Sequence, residues 1–420
     1  MDNINQTLSH SPISVLSKFG ITVKGHLKDL LAFINLTKLR RKHFQAAADA
    51  FIAKDRMNEL SAKLHPSIQY LVIDQVYQEA ENAKTYKLIP APDAKIEKPA
   101  YFRAGQYICI TAEVAKGVVV NRPYSISSAP VDAQNGYYEI TIKRNEDGFV
   151  APYIWEHWQP GMHMQSSGPE GHFYYEALRD RHCIIALAGG SGITPFRSFA
   201  REIVHGNLDI ELTIFYGNQH DKDILFLNEL NELAQNSKGR IKVIHVLQTP
   251  SQYKTQGQTY FEEGLLTKDL IKKHVDVKNS TIFICGPQAM YNFLATELAP
   301  LELSKKQIRW ELFGAAKDIM QHKDFPKEQA GKSYTLNCKI ANSNIDIPAS
   351  STESILVAIE RAKLQPVSKC RSGECGFCRS KLLSGQVFIP EENDKRRAMD
   401  KKAGYFYPCV SYPIENLSIE

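Results

Sequence analysis

The 420-residue chain is 43% hydrophobic, 23% charged and 10% aromatic, which excludes disordered and fibrous classes and suits roughly two to four globular domains. No run approaches the roughly 18 consecutive apolar residues of a membrane-spanning helix. The first 22 residues have Asp2 and Lys18 as their only charges and lack a basic start leading into an apolar stretch, so no secretory leader is expected and the cytoplasm is the default. Net charge is +5, yet residues 1–65 hold 10 basic and 5 acidic side chains and the remainder 41 of each, so the body of the chain carries no nucleic-acid footprint.

From Lys24 to Lys63, Leu27, Leu30, Leu31 and Ile34 share one helical face, and the alanine-rich run Phe44 to Ile52 continues without proline or glycine. This predicts a helical extension over 1–65. Its basic cluster Lys38, Arg40, Arg41 and Lys42 could dock on an acidic partner or an anionic membrane surface, or be merely solvated while the apolar face packs inward. Over 66–178, short alternating runs such as Tyr70 to Val76, Tyr107 to Thr111 and Tyr138 to Lys143 lie between turn residues, as in a small antiparallel barrel. Over 179–320 the strands Cys183 to Ala188, Glu211 to Tyr216, Ile241 to Leu247 and Thr281 to Cys285 alternate with helical stretches, the pattern of a parallel α/β domain. Residues 321–332, polar around Pro326 and Gly331, read as a linker, and 333–420 form a last domain with a strand at Tyr334 to Ile340 and a helix at Ser354 to Ala362.

Three motifs carry chemistry. Arg122-Pro123-Tyr124-Ser125 follows a strand and combines a ring to cover a flavin face, a hydroxyl for the flavin N5 edge and a cation for phosphate. An ordinary strand with a surface arginine would look alike. Gly105-Gln106-Tyr107 upstream and Gly168-Pro169-Glu170-Gly171 downstream favour the flavin. The second motif, Gly189-Gly190-Ser191-Gly192-Ile193-Thr194-Pro195, joins a strand to a helix, where close backbone approach and free N–H groups suit a pyrophosphate. The third glycine of the dinucleotide fingerprint is absent, so this loop alone is weak evidence. Cys285, before Gly286-Pro287, would put a small polarizable group beside a nicotinamide, unless it is a buried structural cysteine. The third motif is Cys370, Cys375 and Cys378 with Cys409 after 30 intervening residues, the plant-type spacing for a 2Fe-2S cluster. Gly373 and Gly376 let the backbone fold around it. A zinc site, which more often shows paired knuckles, or reduced core cysteines are the alternatives.

With these residues the chain resembles the ferredoxin-NADP reductase superfamily over 66–320, fused to a plant-type ferredoxin over 333–420, the order of oxygenase reductases and of the hybrid-cluster-protein NADH reductase. The resemblance implies an antiparallel flavin-binding barrel, a Rossmann-like nucleotide domain and a β-grasp ferredoxin. It also implies that Arg122, Pro123, Tyr124 and Ser125, with Thr141, Ile142, Lys143, Gly148, Phe149 and Val150, hold flavin. Gly190, Ser191, Gly192 and Thr194 would cradle the nicotinamide pyrophosphate, and Cys285 would neighbour the reacting carbon. Glu311 would position the nicotinamide without acting as a general acid, while Phe313 shields the second flavin face. Ala151 stands where the family usually has a serine, which bears on flavin affinity; the Gly168 to Gly171 turn resembles the FAD branch, so FAD is preferred to FMN. The turn Gly217 to Asp221 lacks the arginine and serine that relatives use for a 2′-phosphate, and Asp221 could accept from ribose hydroxyls, so NADH is preferred to NADPH. A solvated loop would read the same way.

The resulting expectation is an NADH-dependent oxidoreductase that sends single electrons to a protein acceptor such as an oxygenase, a desaturase or a hybrid-cluster protein. The rivals are an electron-transfer subunit without nicotinamide turnover and a redox-sensing module.

Overall fold

A computed structural model describes residues 26–49, 56–94, 96–145, 148, 150–255, 257–314, 318–340 and 343–420. They fall into two compact units, one within 1–61 and one within 62–420. The predicted extension is helical where described, as α1 (His26–Asp49) and α2 (Arg56–Leu64). Residues 1–25 and 50–55, and the side chains of Leu27 and Leu30, lie outside the described set. Leu31, Phe33 and Ile34 are exposed, as are Lys38, Arg40, Arg41 and Lys42. Among the described residues no helix is long and apolar enough to cross a membrane.

Among the described residues the second unit contains three larger sheets and one two-stranded sheet. The first is β1 (Gln69–Ala80), β2 (Ala83–Pro90), β3 (Tyr107–Ala115), β4 (Val118–Ser125), β5 (Tyr138–Lys143) and β6 (His163–Ser166), paired antiparallel in the order β4-β3-β6-β1-β2-β5. Two short helices, α3 (Pro130–Gln134) and α4 (Val150–His157), flank it. Alternation sends Leu71, Ile73, Ile108, Ile110, Ile140 and Ile142 into one apolar core, as period-2 patterning requires.

The second sheet is β7 (Cys183–Gly189), β8 (Glu211–Asn218), β9 (Ile241–Leu247), β10 (Thr259–Glu263), β11 (Ser280–Cys285) and β12 (Ile308–Glu311), all parallel in the order β10-β9-β8-β7-β11-β12. The helices α5 (Thr194–Val204), α6 (Leu227–Asn236), α7 (Lys268–His274) and α8 (Gln288–Leu298) connect these strands. Apolar clusters lie on both faces, as a parallel sheet demands. Strand order reverses between β7 and β11, which creates a crevice at their carboxyl ends. The first two sheets are tied by buried charge: Arg197 reaches Glu139 at 2.7 Å and Glu229 at 2.8 Å, and Arg201 reaches Asp132 at 3.0 Å.

The last domain pairs β13 (Ser333–Ile340), β14 (Ser343–Ser350), β15 (Ser380–Ser384), β17 (Tyr405–Phe406) and β19 (Leu417–Ile419) in the order β14-β13-β19-β15-β17, and β16 (Val387–Phe388) pairs with β18 (Tyr412–Pro413). Its helices are α9 (Ile355–Arg361) and α10 (Ala398–Lys402). The expected linker is not a free tether: Ile319 and Phe325 are buried against Tyr412, because the polar run contains one aromatic side chain that finds an apolar partner.

Candidate electron-transfer site

The cysteine loop is shaped by backbone that only glycine accepts easily. Gly373 has φ +81°, and a Cβ there would fall 2.6 Å from the Asn393 carbonyl. The thiols are gathered in two pairs. Cys375 N–H points at Cys370 Sγ at 3.4 Å, and Cys378 and Cys409 Sγ stand 3.4 Å apart. Phe377 N–H also points at a thiol, Cys375 Sγ. No single point among the described residues gathers three metal-ligating side chains. Two thiol pairs with N–H groups aimed at sulfur fit a two-iron cluster, which takes two thiolates per iron, better than one tetrahedral ion.

The glycine loop lies at the strand-order reversal. Gly192 is packed so closely that a Cβ would meet the Cys285 carbonyl at 2.1 Å, so the β7 loop and the end of β11 touch. Thr194 Oγ1 donates to Ser191 O at 3.0 Å, and Pro195 sits in the first turn of α5, where no hydrogen bond is lost. Beside the loop is a cavity of about 590 Å³ lined by Lys143, Gly190, Asn218, Asp223, Pro287 and Met290, among others. Asn218 Nδ2 is buried there without a hydrogen-bond partner among the described residues. An unpartnered buried donor beside a phosphate-shaped loop fits a polar nucleotide. Asp221 is turned elsewhere, accepting from Ser251 Oγ at 2.8 Å and Gln252 N–H at 2.9 Å. The carboxylate that lines the cavity is Asp223, two residues later.

The flavin candidates divide. Ser125 and Pro123 are buried on β4, opposite Tyr107 and Cys109 of β3. Tyr124 is half-buried against the core of the first sheet. Lys143 lines the nucleotide cavity, and Gly148 and Val150 stand at the start of α4. Phe149 lies outside the described residues. Two side chains are used inside the sheet instead. Thr141 hydroxyl sits between Thr85 and Ser127 at 2.8 and 3.0 Å, while Ile142, on the opposite face of β5, belongs to the apolar core. Arg122 is also engaged: its guanidinium meets Glu360 of α9 at 3.2 Å, beside Arg371, which reaches the same carboxylate at 2.6 Å. Burial and the neighbouring Arg371 both press the Arg122 guanidinium toward its neutral form; Glu360 offsets them.

Tyr107 joins the two halves. Its ring meets Phe313 edge-on at 5.8 Å and packs with Cys109 against Cys370, a cluster-loop thiol. Around it is a cavity of about 530 Å³ lined also by Glu170, Glu311, Phe313 and Cys375. Glu311 is buried and its Oε2 has no hydrogen-bond partner among the described residues, so the cavity fits a ligand that can pair with a carboxyl. Burial, and then the nearby Glu374, push the Glu311 carboxyl well up toward its protonated form. Burial likewise holds Cys285 as a thiol. Lys369 pairs with Glu170 at the cavity edge.

Tyr291 of α8 was not among the sequence candidates. Its hydroxyl accepts from Gly286 N–H at 3.1 Å and donates to the Glu311 carbonyl. It thereby staples the strand ends that carry Cys285 and Phe313, which are in register as Cys285 opposite Glu311.

Comparison with known proteins supports this assembly. Residues 71–175 match the oxidoreductase FAD-binding domain, 186–296 the oxidoreductase NAD-binding domain and 338–413 the 2Fe-2S iron-sulfur cluster binding domain. The chain belongs to the FAD- and NAD-binding oxidoreductases of ferredoxin reductase type with a fused 2Fe-2S ferredoxin domain. It is 26% identical over 330 residues to the reductase subunit of glycine betaine monooxygenase of Chromohalobacter salexigens, covering 76% of this chain and 87% of that protein. It is also 26% identical over 360 residues to the ferredoxin reductase component of 3-ketosteroid-9-alpha-monooxygenase of Mycobacterium tuberculosis, with 83% and 94% covered. Among solved structures it shares the fold of phthalate dioxygenase reductase, with a TM-score of 0.59 at 21% identity, covering 84% of this chain and 98% of that one.

Proposed function

We propose that this protein is an NADH-dependent reductase that delivers electrons to a protein acceptor of the oxygenase type, the kind of system in which its relatives are reductase components. The observation that carries the reading is Tyr107, which touches Phe313 on the nucleotide side and Cys370 on the cluster side. We read the antiparallel sheet over 66–178 as a flavin barrel, 179–320 as a Rossmann-like domain, and 333–420 as a β-grasp ferredoxin. Bound FAD would supply the change from two-electron to one-electron chemistry, with hydride arriving from NADH and single electrons leaving through a 2Fe-2S cluster.

The chain's own residues do the positioning. Gly190 to Thr194 offer backbone N–H groups at the start of α5 to the nucleotide pyrophosphate. Cys285 and Glu311 flank the place where a nicotinamide would meet Phe313, and the unpartnered Glu311 carboxyl is available to hydrogen-bond a ligand there. Ser125, one strand from Tyr107, supplies a hydroxyl for the flavin edge, and the paired thiols hold the cluster. Lys143 is the one cation among the described residues lining the nucleotide cavity, and Asp223 disfavours a 2′-phosphate, which supports NADH. The exposed apolar and basic residues of α1 suit docking to a partner or an anionic surface.

The test is anaerobic mixing of the holoprotein with NADH. Flavin absorbance should bleach first and the cluster signal follow, with one flavin and two irons per chain. Cys375→Ser should stop delivery to one-electron protein acceptors while NADH still bleaches the flavin. Zinc without iron, or flavin that NADH does not reduce, would defeat the reading.

A further inference from the structure

A second border of the cysteine loop meets the segment 394–407. A Cβ on Gly376 would lie 3.0 Å from Tyr407 Oη; that hydroxyl donates to Asp400 at 2.7 Å, and Arg379, next to Cys378, reaches Asp400 at 3.1 Å. From Asp394 to Lys402 the chain holds five basic and two acidic residues. Both acids are spent internally: Asp394 pairs with Arg396 and Lys401, each at 2.8 Å, and Asp400 with Arg379. Lys395, Arg397 and Lys402 are all exposed and form no ion pair among the described residues. Lys381 extends the same face, since it and Arg379 both lie over the Tyr405 ring, at 5.7 and 4.5 Å. Met399, 70% exposed, and Phe377, 48% exposed, provide apolar contact within this cationic rim. The loop's own Glu374 is the acidic exception, and it interacts with Lys395.

An electron-transfer contact must form fast, orient the two centres and release. Charge steering with a small apolar centre does this, because long-range attraction raises the encounter rate while a limited interface keeps the complex short-lived. We propose that the face formed by Lys381, Lys395, Arg397, Met399 and Lys402 docks an acceptor protein whose redox centre is ringed by carboxylates. This rests on the reading that the cluster passes its electrons to a protein.

The full-chain holoprotein is tested with two haem proteins as probes, cytochrome b5 with its acidic haem edge and cytochrome c with its basic one. Each takes one electron, so one NADH reduces two cytochromes. At low ionic strength kcat/KM should favour cytochrome b5 by at least about tenfold, and the advantage should shrink as salt rises beyond about 0.1 M. The double variant Lys395→Glu, Lys402→Glu should reverse the order while NADH bleaching of the flavin and the cluster absorbance stay unchanged; neither lysine lines the two cavities. Preference for cytochrome c in the wild type, or a double variant with wild-type rates toward both, overturns the proposal. Titration of oxidised cytochrome b5 at low salt, followed by calorimetry, separates the two readings. Charge-dependent binding without NADH-driven reduction refutes the function and keeps the docking face; reduction without charge dependence does the opposite.

Discussion

Tyr291→Phe isolates what holds the reactive strand ends together. The substitution keeps the buried ring and removes one oxygen, leaving the Gly286 N–H and the Glu311 carbonyl without the partner each has now. An unsatisfied buried polar group costs about 1–3 kcal/mol, so a loss of about 2–3 kcal/mol is expected. At about 2–4 °C per kcal/mol for a domain of this size, calorimetry should show a Tm lowered by about 5–10 °C. The kinetic effect should be selective. The glycine loop is held by Thr194 and by its contact with Cys285, so NADH affinity should change little, whereas the limiting rate of flavin bleaching should fall about tenfold, or about 1.4 kcal/mol. Transfer from cluster to acceptor should be unaffected. The assay is anaerobic stopped-flow across a range of NADH concentrations. A variant with unchanged Tm and limiting rate, or one that raises only the apparent Kd for NADH, refutes the staple argument.

Glu360→Gln leaves Arg122 and Arg371 buried without a counter-charge and should destabilise the protein by about 3 kcal/mol. It should also slow cluster reduction while NADH still bleaches the flavin; unchanged thermal unfolding would count against the ion cluster. His245 is fully buried, and burial pushes its pKa down to about 4 from an unfolded value of about 6.5. The native state therefore binds fewer protons than the unfolded one, and stability should fall as pH drops from about 6.5 to about 4, by up to about 3 kcal/mol. His245→Phe should flatten that profile in urea titrations at stepped pH, and an unaltered slope would show that other groups carry it. Asn218→Arg should narrow an NADH preference of at least about tenfold in kcat/KM, or about 1.4 kcal/mol, by offering a donor to the 2′-phosphate; a wild-type preference for NADPH would contradict this.

What was legible in the sequence follows the range over which each signal acts. Cys370, Cys375 and Cys378 lie within one loop, and the glycine loop lies between one strand and one helix, so their spacing already encodes their geometry. The strand Ile241–Leu247 was readable to the residue, since a parallel strand buried on both faces is an uninterrupted apolar run. Strands β10 and β12 were not anticipated. Their sequences, Thr259–Glu263 and Ile308–Glu311, carry charges because they edge the sheet, and an edge strand lacks the apolar run that announces a central one.

The missed site residues share a different cause. Tyr291 acts on positions 286 and 311, and Glu360 on 122 and 371, partners that no local window contains. The orientation of Asp221 depends on partners just as distant in the chain: it accepts from Ser251 and Gln252, 30 and 31 residues away. Local motifs thus announced which cofactors the chain is built to hold. The proposed order of electron transfer rests instead on Tyr107, whose two contacts, Phe313 and Cys370, belong to different domains. With that ring as the contact between the two halves, Tyr107→Leu should slow cluster reduction while the cysteine motif stays intact and NADH still bleaches the flavin, and an unchanged rate of cluster reduction in stopped-flow absorbance would refute this role.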